Sequence, residues 1–124
     1  MSMKKRILVV EDEPNIVISL RFLLENAGFD VEVETNGRQA LEHILSNTPD
    51  ALVLDVMLPE LDGFEILQKI RSDENVSGLP VLMLTAKGQR EDRKNALDFG
   101  ADLFITKPFS NSEVVEAVES LTTR

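Results

Sequence analysis

The fold of this chain is constrained most by a repeated alternation of short apolar runs with longer amphipathic stretches. The runs are residues 7–10, 31–33, 51–54, 81–84 and 103–105. Apart from 31–33, they do not alternate with polar residues, as is typical of parallel strands that are buried on both faces. Strands and helices that alternate in this way predict an α/β fold, a doubly wound five-stranded parallel sheet with right-handed crossovers.

The stretches between the strands carry apolar residues at helical spacing and predict five helices. Their predicted bounds are 15–26, a stretch after Asn36 and Gly37, 61–70, 91–99 and 112–121. Pro14 suits the first turn of the first helix, and Gly28 suits its end. In the second helix, four apolar side chains are expected to face inward, namely Ala40, Leu41, Ile44 and Leu45.

Composition limits the class of protein. The 124 residues fit a single domain, residues 1–124, with its core between about residues 5 and 122. The absence of cysteine excludes disulfides and thiolate metal sites. A net charge of −9 repels phosphate backbones and anionic lipid, so we expect no direct nucleic-acid binding and no membrane association. No apolar run approaches the length of a membrane span. A cytoplasmic location is expected.

Polar residues follow four of the five predicted strands. Glu11 and Asp12 follow the first strand, Asp55 the third, Thr85 the fourth and Lys107 the fifth. Asp55 is the one polar residue of the stretch ALVLDVML, and a carboxylate in such surroundings needs a partner or a function because its burial is costly. Ligands of open α/β sheets bind at the carboxyl ends of the strands, so these residues are expected to share one crevice.

The chemistry of these residue types indicates phosphoryl transfer. Clustered carboxylates repel each other unless a cation neutralises them. Oxygen ligands without histidine or cysteine suit Mg²⁺ or Mn²⁺. Thr85 can donate a hydrogen bond to a phosphoryl oxygen, and Lys107 can supply a positive charge for that anion. The set predicts a magnesium site with Asp55 as the phosphoryl acceptor.

Four stretches resemble response-regulator receiver domains, the CheY-like family. They are ILVVEDEP, LVLDVMLPELDGFEIL, LPVLMLTA and GADLFITKPF, in the family's order and spacing over essentially the whole chain. The resemblance implies a flavodoxin-like fold with strand order 2-1-3-4-5. It also implies a signalling switch of a two-component system, not an enzyme in its own right.

The resemblance assigns a role to each site residue. Asp55 would be the phosphoacceptor and would also bind the metal ion. Asp12 would ligate the metal directly, Glu11 directly or through water, and Met57 through its backbone carbonyl. Lys107 would pair with the phosphoryl group or with Asp55.

The remaining implications concern the switch and its partners. Thr85 and Phe104 would form the switch pair, and the Lys107–Pro108 peptide is expected to be cis. The phosphoryl donor would be a sensor histidine kinase or a histidine phosphotransfer protein. Phosphorylation would repack the face made by the fourth helix, fifth strand and fifth helix. That face would control a downstream protein or an attached output domain, and could form a phosphorylation-dependent homodimer.

Simpler interpretations exist for each residue alone. Asp12 could be a helix N-cap, Glu11 a surface acid, Thr85 a strand former, Lys107 a surface lysine and Phe104 ordinary core. We expect a structural or surface role for the sole histidine, His43.

Three other functions fit the sequence less well. A phosphatase of the aspartyl-phosphate class would usually carry a second aspartate where Met57 stands. A P-loop ATPase would need a G-x-x-x-x-G-K-[ST] motif, which the sequence lacks. A receiver that acts without phosphorylation would not need the complete acidic set.

Met57 and Lys87 flank the expected phosphoryl position, and Met57 hydrogen-bonds water poorly, so we hypothesise slow self-dephosphorylation.

Overall fold

The computed structural model describes residues 4–86 and 90–123. Five strands and five helices alternate along the chain. The strands are β1 (Arg6–Val10), β2 (Asp30–Glu34), β3 (Ala51–Asp55), β4 (Val81–Thr85) and β5 (Leu103–Thr106). The helices are α1 (Pro14–Asn26), α2 (Gly37–Ser46), α3 (Gly63–Ser72), α4 (Arg90–Asp98) and α5 (Asn111–Thr122).

The strands form one parallel sheet in the order β2-β1-β3-β4-β5, which confirms the predicted topology. The register places Val10 beside Leu54, Asp55 beside Leu84, and Thr85 beside Thr106. Because all five strands are parallel, their carboxyl ends lie at one rim of the sheet. The predicted site residues lie at this rim, at the ends of β1, β3, β4 and β5.

The core consists of two layers, one on each face of the sheet. Alternate residues of one strand face opposite layers, as the pleat requires, so Leu8 and Val10 lie in one layer and Ile7 and Val9 in the other. Helices α2, α3 and α4 cover the first face, and α1 and α5 cover the second. This arrangement explains why β1, β3 and β4 read as continuous apolar runs. No helix in the described part of the chain is long and apolar enough to cross a membrane.

Local capping sets helix bounds that differ from the predicted ones. Helix α3 begins at Gly63 and not at residue 61, because Asp62 and Glu65 form a capping box that satisfies backbone donors of the first turn. Helix α1 begins at Pro14, one residue earlier than predicted, and Glu13 is its N-cap. The strands β3 and β4 each extend one residue further than predicted and end with Asp55 and Thr85 themselves.

The inward face of α2 is narrower than the sequence pattern predicted. Ala40 and Ile44 are fully buried, whereas Leu45 is 49% exposed, so its predicted inward position is wrong. Leu41 is only partly buried. Leu45 lies about 100° around the helix from Ile44, and a helix that packs on a flat sheet buries only a limited stripe.

Candidate functional site

The candidate site lies at the carboxyl rim of the sheet, where three buried polar side chains meet. Asp55 ends β3 and is 3% exposed, Thr85 ends β4 and is 2% exposed, and Glu11 follows β1 with no exposure. They are the buried polar or charged residues of the described chain. Because such groups are otherwise kept out of protein cores, their convergence at one rim indicates a functional site.

Lys107 connects the two buried carboxylates. Its Nζ donates a hydrogen bond to Asp55 Oδ1 at 3.0 Å and forms an ion pair with Glu11 Oε1 at 3.0 Å. Burial alone would lower the pKa of Lys107, but the hydrogen bonds and charges of Asp55 and Glu11 outweigh burial and raise it. Lys107 is therefore a permanent cation at neutral pH.

Glu11 is the most buried acid of the site. Burial and the neighbouring Asp55 raise the pKa of its carboxyl group, against the lowering influence of Lys107 and of backbone hydrogen bonding. Its Oε2 accepts hydrogen bonds from the backbone N–H groups of Asp12 and Glu13, at 3.1 and 3.2 Å. Its Oε1 pairs with the ammonium group of Lys107 at 3.0 Å. A buried carboxylate oxygen with lone pairs to spare can bind a cation.

Glu11, Asp12 and Asp55 can together hold a metal ion. One carboxylate oxygen from each lies within 4.8 Å of the others. Lys107 neutralises part of the negative charge of Glu11 and Asp55, and their carboxylate oxygens keep further lone pairs that can bind a cation. Hard oxygen donors fit a hard divalent cation. Among these acids only Asp12 is exposed, so it lies on the side from which a hydrated ion would enter.

The simpler interpretations of Asp12 and Glu11 do not hold. The side chain that caps α1 is that of Glu13, whose carboxylate accepts from Ile16 N at 3.0 Å, so Asp12 is not the N-cap. Glu11 is fully buried and not a surface acid. Its backbone N–H donates to Glu34 O at 3.1 Å, which continues the β1–β2 pairing into the site.

Two predicted residues lie at the border of the site. Met57 follows β3 and leaves its side chain 71% exposed. Phe104 lies on β5, beside Met83 of β4, and the guanidinium carbon of Arg93 lies 4.6 Å from the centroid of its ring. Sequence reasoning missed this cation–π contact, since no pattern links α4 to β5. Lys87 lies outside the described residues.

The turn after β5 also shapes the site. The Lys107–Pro108 peptide bond is cis, as predicted, and Lys107 N donates to Thr85 O at 2.8 Å. A groove of about 420 Å³ opens beside Lys107. Its lining residues are Ile16, Ser19, Ala86, Lys107, Pro108, Phe109 and Asn111. The sequence did not predict this groove, because it is made by α1 and two loops that are distant along the chain.

A doubly wound five-stranded sheet, with an acidic cluster and a partly buried lysine at its carboxyl rim, defines a flavodoxin-like α/β protein with an acidic pocket. Residues 7–119 match the sequence model of the response regulator receiver domain. The chain therefore belongs to the response regulator receiver domain family, whose members are signalling proteins of two-component systems.

Curated relatives share this sequence closely. The chain is 44% identical over 122 residues to the alkaline phosphatase synthesis transcriptional regulatory protein PhoP of Bacillus subtilis, covering 98% of this chain and 50% of PhoP. It is 41% identical over 119 residues to the DNA-binding dual master transcriptional regulator RpaA of Synechocystis sp., covering 96% of this chain and 49% of RpaA. The chain thus spans about half the length of the curated relatives it matches.

Solved structures show the same fold. The receiver domain of sensor histidine kinase PA1611 from Pseudomonas aeruginosa has a TM-score of 0.90 at 30% identity, with 98% of this chain and 100% of that chain covered. That structure has a magnesium ion coordinated in its active-site cleft. The receiver domain of the Francisella response regulator 1452 has a TM-score of 0.89 at 33% identity, with 98% of each chain covered.

Proposed function

We propose that this chain is the phosphoacceptor switch of a two-component system and that Asp55 accepts the phosphoryl group. The donor would be a phosphohistidine of a sensor histidine kinase or of a histidine phosphotransfer protein. The observation that carries the proposal is the position of Lys107 Nζ, 3.0 Å from Asp55 and 3.0 Å from Glu11 in a pocket that also fits a metal ion.

The proposed reaction transfers a phosphoryl group from a histidine nitrogen of the donor to a carboxylate oxygen of Asp55. A carboxylate oxygen of Asp55 attacks phosphorus, the N–P bond to the donor histidine breaks, and its electron pair returns to the imidazole ring. A bound Mg²⁺ or Mn²⁺ would neutralise charge that develops on the phosphoryl oxygens. Asp12 and Asp55 would hold that ion, with Glu11 directly or through water, and Met57 through its backbone carbonyl.

Lys107 and Thr85 would stabilise the phosphoryl group once it is attached to Asp55. The ammonium group of Lys107 already lies beside Asp55, so it can pair with a phosphoryl oxygen without a long movement. Thr85 ends the neighbouring strand, and its hydroxyl can donate to another phosphoryl oxygen. Movement of Thr85 toward the phosphoryl group opens space into which Phe104 can turn.

This repacking would change the face formed by α4, β5 and α5. The guanidinium group of Arg93, on α4, packs over the ring of Phe104, so a rotation of that ring must release or shift the guanidinium group. The changed face would act on a downstream protein or an attached output domain, and could pair two copies of the chain. The added charge of the phosphoryl group supplies the driving force for this local change.

An exposed apolar surface on α1, beside the groove next to Lys107, could bind the donor protein. Ile18 and Phe22 of α1 are 66% and 65% exposed, and they follow one another at i, i+4 on the helix surface. Ile16 and Ser19 of the same helix line the groove that contains Lys107. A helix of the kinase that packs on Ile18 and Phe22 would lie next to the acceptor pocket, as transfer requires.

Intact mass tests the central proposal. Incubation with acetyl phosphate and Mg²⁺ should add one phosphoryl group to the wild type, and none to Asp55→Asn or to a sample with EDTA. An adduct that persists in Asp55→Asn would show that another residue is the acceptor. A wild type that takes no phosphoryl group from acetyl phosphate or from any histidine kinase would favour a receiver that acts without phosphorylation.

A further inference from the structure

The start of helix α2 contacts the loop between β3 and α3, residues 56–62. These contacts lie outside the acidic pocket. Gly37 N, the first residue of α2, donates to Pro59 O at 3.3 Å. Asn36 Nδ2, on the preceding residue, donates to Glu60 Oε2 at 3.0 Å. Helix α2 thus begins in direct contact with the loop that carries Met57.

The contact at Gly37 is too close for any other residue. A Cβ atom at this position would lie 1.8 Å from the carbonyl oxygen of Leu61 and 2.8 Å from its carbonyl carbon. Both are backbone atoms, so no rotation of a side chain can relieve the clash. Glycine is required here by the space available, and the backbone of α2 packs directly on the backbone of the loop.

A second observation shows that the loop is held in a costly conformation. Glu60 has a φ of +68°, and it is the non-glycine residue with positive φ in the described chain. Such a conformation is unfavourable for a residue other than glycine and persists only where surrounding contacts hold it. The hydrogen bond from Asn36 is such a contact, and Arg38 Nε lies 3.7 Å from the same carboxylate oxygen.

We propose that Gly37 and Asn36 are positioning residues for the metal site. They hold residues 59–61 against the start of α2 and thereby fix the backbone carbonyl of Met57 relative to Asp55. The inference rests on the proposed function, because Met57 is a ligand only in that proposal. Mg²⁺ tolerates little departure from octahedral geometry, so a displaced carbonyl weakens binding even when every side-chain ligand is intact.

The test measures Mg²⁺ affinity directly by NMR titration of ¹⁵N-labelled protein that has not been phosphorylated. Gly37→Ala should bind Mg²⁺ about tenfold more weakly, the lower end of the effect expected for residues that support ligands. At saturating Mg²⁺ its labelling by acetyl phosphate should approach the wild-type rate. Gly78→Ala is the matched control, since a Cβ there meets nothing within 4 Å.

Asn36→Ser provides a second variant if Gly37→Ala fails to fold. Serine keeps an oxygen that can cap α2, where Asn36 Oδ1 accepts from Arg38 N and Gln39 N, but it cannot reach Glu60. Weaker Mg²⁺ binding, with amide shifts concentrated at residues 57–62, supports the inference. Wild-type Mg²⁺ affinity in the folded variants overturns it, even if their melting temperatures fall. If wild-type protein itself binds no Mg²⁺, the proposed function fails together with the inference.

Discussion

The ammonium group of Lys107 lies 3.0 Å from the carboxylate of Asp55, although 52 residues separate the two along the chain. Each residue ends or follows its own strand, and the parallel register brings them together. The same ammonium group contacts Glu11, so one cation balances two buried acids. Several measurable properties depend on this balance.

Removal of the cation should destabilise the protein. In Lys107→Met the carboxylates of Asp55 and Glu11 lose their shared partner, and we expect the free energy of unfolding to fall by about 2 kcal/mol in the absence of divalent ions. Urea unfolding at neutral pH measures this loss. Saturating Mg²⁺ should restore a larger increment in the variant than in the wild type, because a bound cation replaces the missing charge. An equal increment in both proteins would contradict this account.

Removal of one acid should have the opposite effect. Asp55→Asn keeps an oxygen that can accept from Lys107 but relieves repulsion with Glu11, so we expect the metal-free protein to gain about 1 kcal/mol of stability. Thermal and urea unfolding in EDTA provide the measurement. Asp30→Asn, at an exposed position where β2 begins, is the control and should change little. A destabilised Asp55→Asn would show that repulsion does not dominate the pocket.

His43 should make stability depend on pH. Its Nδ1 lies 2.9 Å from Glu34 Oε2 and its Nε2 lies 3.0 Å from Glu32 Oε1, and since carboxylates only accept, the protonated ring satisfies both contacts. The hydrogen bond to Glu34, reinforced by Glu32, raises the pKa of His43 above its ordinary 6.5 despite partial burial.

The sign of the effect follows from the raised pKa. The contribution of His43 to stability is fully present below the unfolded-state pKa and is lost as pH rises through the higher folded-state pKa. The difference in unfolding free energy between wild type and His43→Gln should therefore be largest below about pH 6.5 and shrink as the pH rises above it. Because the chain has one histidine, its ring resonance can be followed by NMR without ambiguity. A folded-state pKa at or below 6.5 would refute the prediction.

The side chain at residue 57 should set the lifetime of the phosphoryl group. Met57 is exposed beside the proposed acceptor and cannot orient an attacking water, so we predict slow self-dephosphorylation. Met57→Asn should shorten the half-life by about tenfold, because an amide can hold a water in place. Met57→Leu, which changes shape but adds no hydrogen-bonding group, should keep the wild-type half-life. Decay of the intact-mass adduct provides the rate, and a short wild-type half-life that Met57→Leu leaves unchanged would defeat the hypothesis.

The sequence predicted those features that follow from periodicity and strand order. Continuous apolar runs fixed the expectation of a parallel sheet, and a parallel sheet places Glu11, Asp55, Thr85 and Lys107 at one rim. The distances among them could not be predicted, because they depend on the register. For the same reason the sequence could not distinguish Asp12 from Glu13 as the cap of α1, a choice that rests on backbone angles at a single residue.

Two side-chain contacts between consecutive elements were not predicted. The ring of His43 on α2 contacts two glutamates of β2, and Arg93 of α4 contacts Phe104 of β5. Hydrophobic periodicity predicts neither contact, because it does not specify which polar side chains meet. The error at Leu45 has a different cause. Helical periodicity identifies the apolar side of α2, but the width of the buried stripe depends on how the helix lies on the sheet.

All five residues of β3 are buried, and both neighbouring strands are paired with it. The proposed acceptor therefore ends a strand that both core layers and both neighbouring strands hold in place. The movements proposed for Thr85, Phe104 and the face formed by α4, β5 and α5 would take place around this strand. The exposed faces of the helices could thus be exchanged for those of other receivers while this strand stays unchanged, as long as Gly37 and Gly63 keep their close contacts.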